Sequence, residues 1–227
     1  MRLLLFDIDG TLLTAGGAGR QAIERGLADL TGVPITTSGI SFSGKTDQQI
    51  LREVLDRSGA DADWMNGRFP EVVSAFRSAV QRAFDPAAVR ALPGAVPLVE
   101  ELGADGSVQL GLLTGNLRES AYLKVGAIGL GGYFPFGAFG CDHADRNRLP
   151  AVAQERAEGH TGRRFDGRDL VVIGDTPRDV ACCRAAGGVA VAVATGRFSR
   201  DELAAHAPDV LLDSLEDAAA FVDAVLR

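Results

Sequence analysis

Leu3-Leu4-Leu5-Phe6-Asp7-Ile8-Asp9-Gly10-Thr11 places four continuous apolar residues directly before two carboxylates spaced two apart. An uninterrupted apolar run, unlike an alternating one, fits a strand buried on both faces, as in a parallel sheet covered by helices. In near-extended backbone a spacing of two puts Asp7 and Asp9 on the same side. Carboxylates crowded into one small volume repel, so a divalent cation is expected between them, and oxygen ligands alone point to magnesium.

Similar apolar runs recur outward from this stretch at residues 108–113, 170–173, 189–194 and 210–212, with helical patterns between them. Residues 94–104 put Val96, Val99 and Leu102 on one helical face. Residues 177–186 open on a proline suited to a first helical position, and Gly187-Gly188 stops that helix. Ser214 is expected to start the last helix, with Asp217 favouring its positive end and Leu215, Ala218, Val222, Val225 and Leu226 as its buried stripe. The fold class that follows is α/β, a Rossmann-like parallel sheet sandwiched by helices.

About a hundred residues separate the first strand from the second, too many for a direct crossover. Apolar residues recur at helical spacing over 18–30, 47–57 and 68–84, so residues 15–88 are expected to form an inserted all-α cap domain. Residues 1–14 and 89–227 are left as the core.

A length of 227 residues at 46% hydrophobic content allows one sizeable core with a small second lobe. The formal charge of −7 repels polyanions, so no nucleic-acid partner is expected. The apolar runs fall short of the roughly 20 residues a membrane helix needs, so neither is a membrane. Asp7 follows the first residue too closely for a secretory signal, which leads us to expect a cytoplasmic location. Cys182 and Cys183 are adjacent and Cys141 stands alone, neither a disulfide framework nor a zinc spacing, and they read as reduced, small, apolar residues. His143 and His160 lack partners at metal spacing and read as surface or turn residues.

Two further strand ends carry chemistry. Leu112-Leu113-Thr114-Gly115-Asn116 offers a hydroxyl and free backbone N–H groups just before a helix, which suits a phosphate. Ile173-Gly174-Asp175-Thr176-Pro177-Arg178-Asp179 again puts acids at a strand-to-helix turn. Ligands of open parallel sheets gather at the carboxyl edge, so the three ends are expected to converge there.

With Asp-x-Asp-Gly-Thr, a Thr, basic residues and Gly-Asp-x-x-x-Asp in this order, the chain resembles the haloacid dehalogenase superfamily along its whole length, and its phosphoglycolate phosphatase-like members in particular. The resemblance implies that Asp7 is a nucleophile forming an aspartyl phosphate, and that Asp9 is the general acid and then the base. It implies magnesium held by Asp7, the backbone carbonyl of Asp9 and Asp175, with Asp179 as ligand or support. Phosphoryl oxygens fall to Thr114, Gly115 and Asn116. A cation is also implied between the second motif and the last, usually a lysine. No Lys-Pro pair occurs in residues 142–150, so Arg146 is preferred, ahead of Arg148. Lys124, about two turns into its helix and on the order of 10 Å away, is a third choice whose plainer reading is a surface lysine. In such relatives a segment like Gly44-Lys45-Thr46-Asp47 closes over the site, so Lys45 and Arg20 are candidates to meet an anionic substrate. The expected partner is a small phosphorylated metabolite, bound by a monomer or homodimer.

Other readings compete. Gly39-Ile40-Ser41-Phe42-Ser43-Gly44-Lys45-Thr46 matches the nucleotide-binding phosphate loop letter for letter. That loop must follow a buried strand, however, and residues 33–38 contain a proline and few apolar side chains. Thr46 and Gln49 instead suggest a capping box for the next helix. A phosphomutase resembling β-phosphoglucomutase would keep every residue named above. A dehalogenase would lack the second acid, and a non-enzymatic binding module would not need both Asp7 and Asp9.

Overall fold

The computed structural model of the protein describes residues 1–60 and 62–226. In chain order its elements are β1 (Arg2–Phe6), β2 (Leu13–Thr14), α1 (Ala18–Thr31), α2 (Asp47–Arg57), α3 (Ala62–Ala83), β3 (Arg90–Ala91), α4 (Ala95–Ala104), β4 (Val108–Leu113), α5 (Arg118–Ala127) and β5 (Gly137–Ala138). There follow α6 (Leu149–Thr161), β6 (Leu170–Gly174), α7 (Pro177–Ala185), β7 (Val189–Val193), α8 (Arg200–Ala204), β8 (Val210–Leu212) and α9 (Ala218–Leu226).

The continuous apolar runs are explained by what lies on each side of the sheet. Within β1, Leu4 and Phe6 enter one buried cluster while Leu3 and Leu5 enter the other. Val171 and Ile173 of β6 likewise alternate with Leu170 and Val172, as the two-residue period of a strand requires. Helices α4, α5 and α9 cover the first face and α6, α7 and α8 the second. Six strands pair in the order β5-β4-β1-β6-β7-β8, and every pairing is parallel. The α/β sandwich expected from the sequence is therefore the fold observed. No helix among the described residues is long and apolar enough to cross a membrane.

Residues 15–88 contain α1, α2 and α3, which share an apolar cluster that includes Ile23, Leu51, Val54, Val72 and Phe76. Gly26 of α1 packs so closely on α3 that a Cβ there would lie 2.9 Å from the Ala79 methyl. The chain enters and leaves this segment through the antiparallel β2–β3 pair.

Two local expectations need correction, and one short strand went unread. α3 begins at Ala62 rather than at residue 68 and carries Pro70 inside it. Burial of Met65 and Phe69 in the helical cluster outweighs the cost of that proline. The last helix begins at Ala218, not Ser214, and Asp217 Oδ1 is the cap, accepting from Ala220 N–H at 2.9 Å. The Ser214 hydroxyl accepts from Glu216 N–H at 3.2 Å and so favours a local turn. β5 is only two residues long, too short for any periodic signal.

Candidate active site

β1 pairs with β4 and β6 in a register that sets Phe6 beside both Leu112 and Ile173, so the residues after all three strands emerge at one level. Asp7 N–H donates to Ile173 O at 2.9 Å, carrying the ladder one step past β1 and bringing Asp7 next to the Gly174-Asp175 turn. Asp7, Asp175 and Asp179 are each at most 5% exposed, and a carboxylate oxygen from each lies within 4.8 Å of the others. Burial pushes Asp175 up to about 8, with the charges of Asp179 and Asp7 adding to it. Burial also pushes Asp7 up to about 6, although the Arg146 guanidinium opposes it.

Asp175 is hemmed in by close backbone. A Cβ at Gly10 would sit 2.4 Å from its Oδ2, and one at Gly196 would sit 1.7 Å away. Gly10 also has φ +89°, so both space and backbone conformation call for glycine. Thr11 Oγ1 donates to Asp175 Oδ1 at 3.3 Å, and Thr195 Oγ1 donates to Gly10 O at 2.7 Å. Thr195 and Gly196 follow β7, a fourth strand end at the same edge whose polar residues were not among those expected there.

The carboxylate crowd is not the pair expected. Asp9 is partly exposed, and its carboxylate accepts from Lys124 Nζ at 2.7 and 2.8 Å and from Asn116 Nδ2 at 2.7 Å. Sharing one side of a strand end does not make Asp7 and Asp9 share one volume, because the chain turns at Asp9–Gly10 and directs the second carboxylate toward α5. Lys124 is consequently no surface lysine. Side chains of a helix lean toward its N-terminus, so the long stem spans most of two turns and returns the ammonium to the strand end.

Arg146 is 5% exposed, with Nη2 at 2.5 Å from Asp179 Oδ1 and 3.3 Å from Asp7 Oδ2. Burial opposes its charge, but Asp179 and Asp7 outweigh that and hold the guanidinium firmly protonated. Its Nε is buried and has no partner among the described residues, leaving a donor for an anion. Arg148 is exposed. The Oδ2 of Asp179 accepts from both N–H and Oγ1 of Thr176, closing a capping box on α7. Asp179 is thereby the group that anchors Arg146 as well as the third acid of the cluster.

Thr114 is fully buried, and its Oγ1 accepts from Asn116 Nδ2 at 2.8 Å and Asn116 N at 3.3 Å. The expectation of free N–H groups at Asn116 and at the start of α5 is overturned, since Leu117 N–H donates to Asp47 Oδ2 at 2.7 Å. Asp47, read from the sequence as a helix start and as part of a closing segment, ties residues 44–47 to the β4 end. Asp47 N–H in turn donates to Gly115 O at 2.7 Å, and a Cβ at Gly115 would lie 2.0 Å from Lys45 O. This close docking explains why glycine stands at 115. Residues 39–46 follow loop backbone rather than a strand, and Thr46 Oγ1 accepts from Gln49 N–H at 3.2 Å, the hydroxyl half of the expected capping box.

These groups surround a cavity of about 520 Å³, which Asp7, Asp9, Thr114, Gly115, Asn116, Arg146 and Asp175 line together with Arg20 and Lys45. Asp179 lies behind Arg146. The two basic residues are engaged within their own segment: Arg20 donates to Thr37 O and Ile40 O, and Lys45 to Glu53. Neither is presented as a free charge.

The donor set fits a hard divalent cation. Asp7 and Asp175 offer only oxygen, and their raised values show a site that resists holding its charges without a counter-ion. A stability measurement tests this. Asp175 sits at about 8 when folded against 3.8 for the free side chain, so the folded protein binds the extra proton between those values. Its contribution is therefore present below about 4 and lost as pH rises through about 8. Metal-free Asp175→Asn is expected to melt at least about 2 °C above wild type at the alkaline end and to lose that advantage by pH 4. Magnesium should raise the wild-type Tm there and leave the variant unmoved. A variant less stable than wild type at both ends would show that Asp175 is not held against its charge.

The family model of haloacid dehalogenase-like hydrolases matches residues 1–187. Phosphoglycolate phosphatase of Synechococcus elongatus is 26% identical over 231 aligned residues, covering 100% of both chains. A hydrolase from Pseudomonas syringae superposes with a TM-score of 0.72 at 20% identity, covering 98% of each chain. A haloacid dehalogenase-like family protein from Streptococcus pneumoniae does so at 0.66 and 17% identity, over 97% of this chain and 98% of that one.

Proposed function

Because the chain belongs to the haloacid dehalogenase-like hydrolases, we propose that it is a magnesium-dependent phosphatase that hydrolyses a small phosphate monoester through an aspartyl phosphate on Asp7. The observation that carries this reading is the meeting of Asp7, Asp175, Asp179 and Arg146 beside the Thr114 hydroxyl at one end of the cavity. Residues 15–88 act as the cap that closes the cavity over the sheet edge. The three unpaired cysteines suit a reducing, cytoplasmic setting.

In this mechanism Asp7 and Asp175 would hold the cation together with the carbonyl of Asp9, and Asp179 would support them by fixing Arg146. The ion, when bound, offsets negative charge on the phosphoryl oxygens. Arg146 supplies the facing positive charge and Thr114 a hydroxyl donor. An Asp7 oxygen attacks phosphorus as the bond to the leaving oxygen breaks, and protonated Asp9 delivers its proton to that oxygen. A water then attacks the same phosphorus, its proton passing to the Asp9 carboxylate as the Asp7–phosphorus linkage breaks. Asn116 and Lys124 hold the Asp9 carboxylate at the cavity when it is ionised.

A panel of phosphate monoesters tests the reading, assayed with magnesium and again with excess chelator. We expect phosphate release that chelator abolishes, with one oxygen from labelled water in the product. A panel with no turnover would end the phosphatase reading, and phosphoryl transfer to a sugar phosphate instead of water would move the enzyme to the mutases.

A further inference from the structure

Resting on the phosphatase reading, we infer that the alcohol half of the substrate is apolar, and that the helical segment binds it through a hydrophobic wall. The cavity has two unlike sides. Sheet-edge residues line one with acids, Thr114 and Arg146, while Ile23, Phe42, Ile50, Phe76, Val80 and Phe84 line the other. Ile23, Ile50 and Phe76 are at most 3% exposed and back the wall from within the helical cluster, so the surface a ligand can touch is that of the half-buried Phe42, Val80 and Phe84.

Of the basic residues that line the cavity besides Arg146, Arg20, Lys45 and Lys124 are already committed, and Arg197 is exposed. Arg20 is fixed by two backbone carbonyls at 3.0 and 2.8 Å and lies 4.0 Å over the Phe42 ring. Lys45 is paired with Glu53, and Lys124 with Asp9 and Asn116. A carboxylate-bearing alcohol placed against this wall would lose its hydration and meet carbon. An apolar alcohol would instead remove both surfaces from water. About 520 Å³ falls within the range of pockets that enclose organic ligands of some size, so a two-carbon ester would leave much of the wall uncovered.

Straight-chain alkyl phosphates from methyl to hexyl test the idea, because their leaving oxygens are chemically alike and any trend reads the wall. With magnesium bound, kcat/KM is expected to rise at least about threefold per added methylene, and hexyl phosphate to surpass phosphoglycolate. Alkylphosphonates, which cannot be hydrolysed, should raise Tm in the same order. Val80→Ala and Phe84→Ala, at half-buried positions, should each lower kcat/KM for hexyl phosphate about tenfold, a larger factor than for methyl phosphate. Turnover with a flat or falling alkyl series overturns the inference and leaves the phosphatase reading intact. So does a phosphoglycolate preference that collapses in Arg197→Ala, since it would seat an anion at that exposed, cavity-lining guanidinium. Failure of every ester, together with no phosphonate shift, overturns both.

Discussion

Asp7→Asn lowers kcat by at least about 10⁴-fold while the protein stays folded, the expected result if Asp7 carries the covalent step. An amide of the same shape has no nucleophilic oxygen anion, so neither displacement can proceed. Stability should not suffer. Asp7 is 5% exposed and burial pushes it up to about 6, so a neutral side chain removes a charge the metal-free fold holds with difficulty. Arg146 does lose a contact at 3.3 Å but keeps Asp179 at 2.5 Å, so no cation is stranded. Metal-free variant and wild type should therefore melt within a few degrees of each other near neutral pH, with the variant the more stable as pH rises. A variant that keeps a tenth or more of wild-type turnover would remove Asp7 from the nucleophile role.

Arg146→Ala is expected to damage both chemistry and fold. Removing one preorganised donor facing the phosphoryl group costs about 10² to 10³ in kcat, or roughly 2.7 to 4 kcal/mol of transition-state stabilisation. Removing the cation also leaves Asp179 and Asp7 buried together without their partner, which costs about 3 to 5 kcal/mol of stability. Magnesium should recover part of the second loss, because another cation then faces Asp7. The two effects separate in Arg146→Lys, which keeps the charge and restores most of the Tm. The lysine, lacking the planar fork, should leave kcat well below wild type. Arg148→Ala, at an exposed position, should change stability by no more than about 0.5 kcal/mol and leave kcat unchanged. The reverse pattern, with Arg148→Ala impaired and Arg146→Ala intact, would place the cation at 148.

How much of this was legible follows from the range of the signals. Apolar runs of four to six residues reported strands because burial on both faces leaves no polar alternation, while the order in which β4, β1, β6 and β7 pair came from the structure. Asp7, Thr114, Asp175 and Asp179 were readable as strand-end residues, since parallel strands deliver their carboxyl ends to one edge. Lys124 and Asp47 were misjudged because each acts across the molecule, at separations of 115 and 70 residues from Asp9 and Leu117. No local pattern in a single chain encodes such a meeting. Thr195 and Gly196 too follow an apolar run, and parallel strands deliver them to the same edge as Asp175.

Residue order alone determined the layered α/β architecture, the run of helices between the first two strands of the sheet and the acids and hydroxyl at the sheet edge, because periodicity and strand-end position are properties of neighbouring residues. Only the tertiary structure decided which carboxylates crowd together, which cation faces them and which basic side chains are already engaged. Those outcomes depend on how the turn at Gly10, the capping box of α7 and the docking of residues 44–47 aim side chains across space, and charges interact by distance, not by position along the chain.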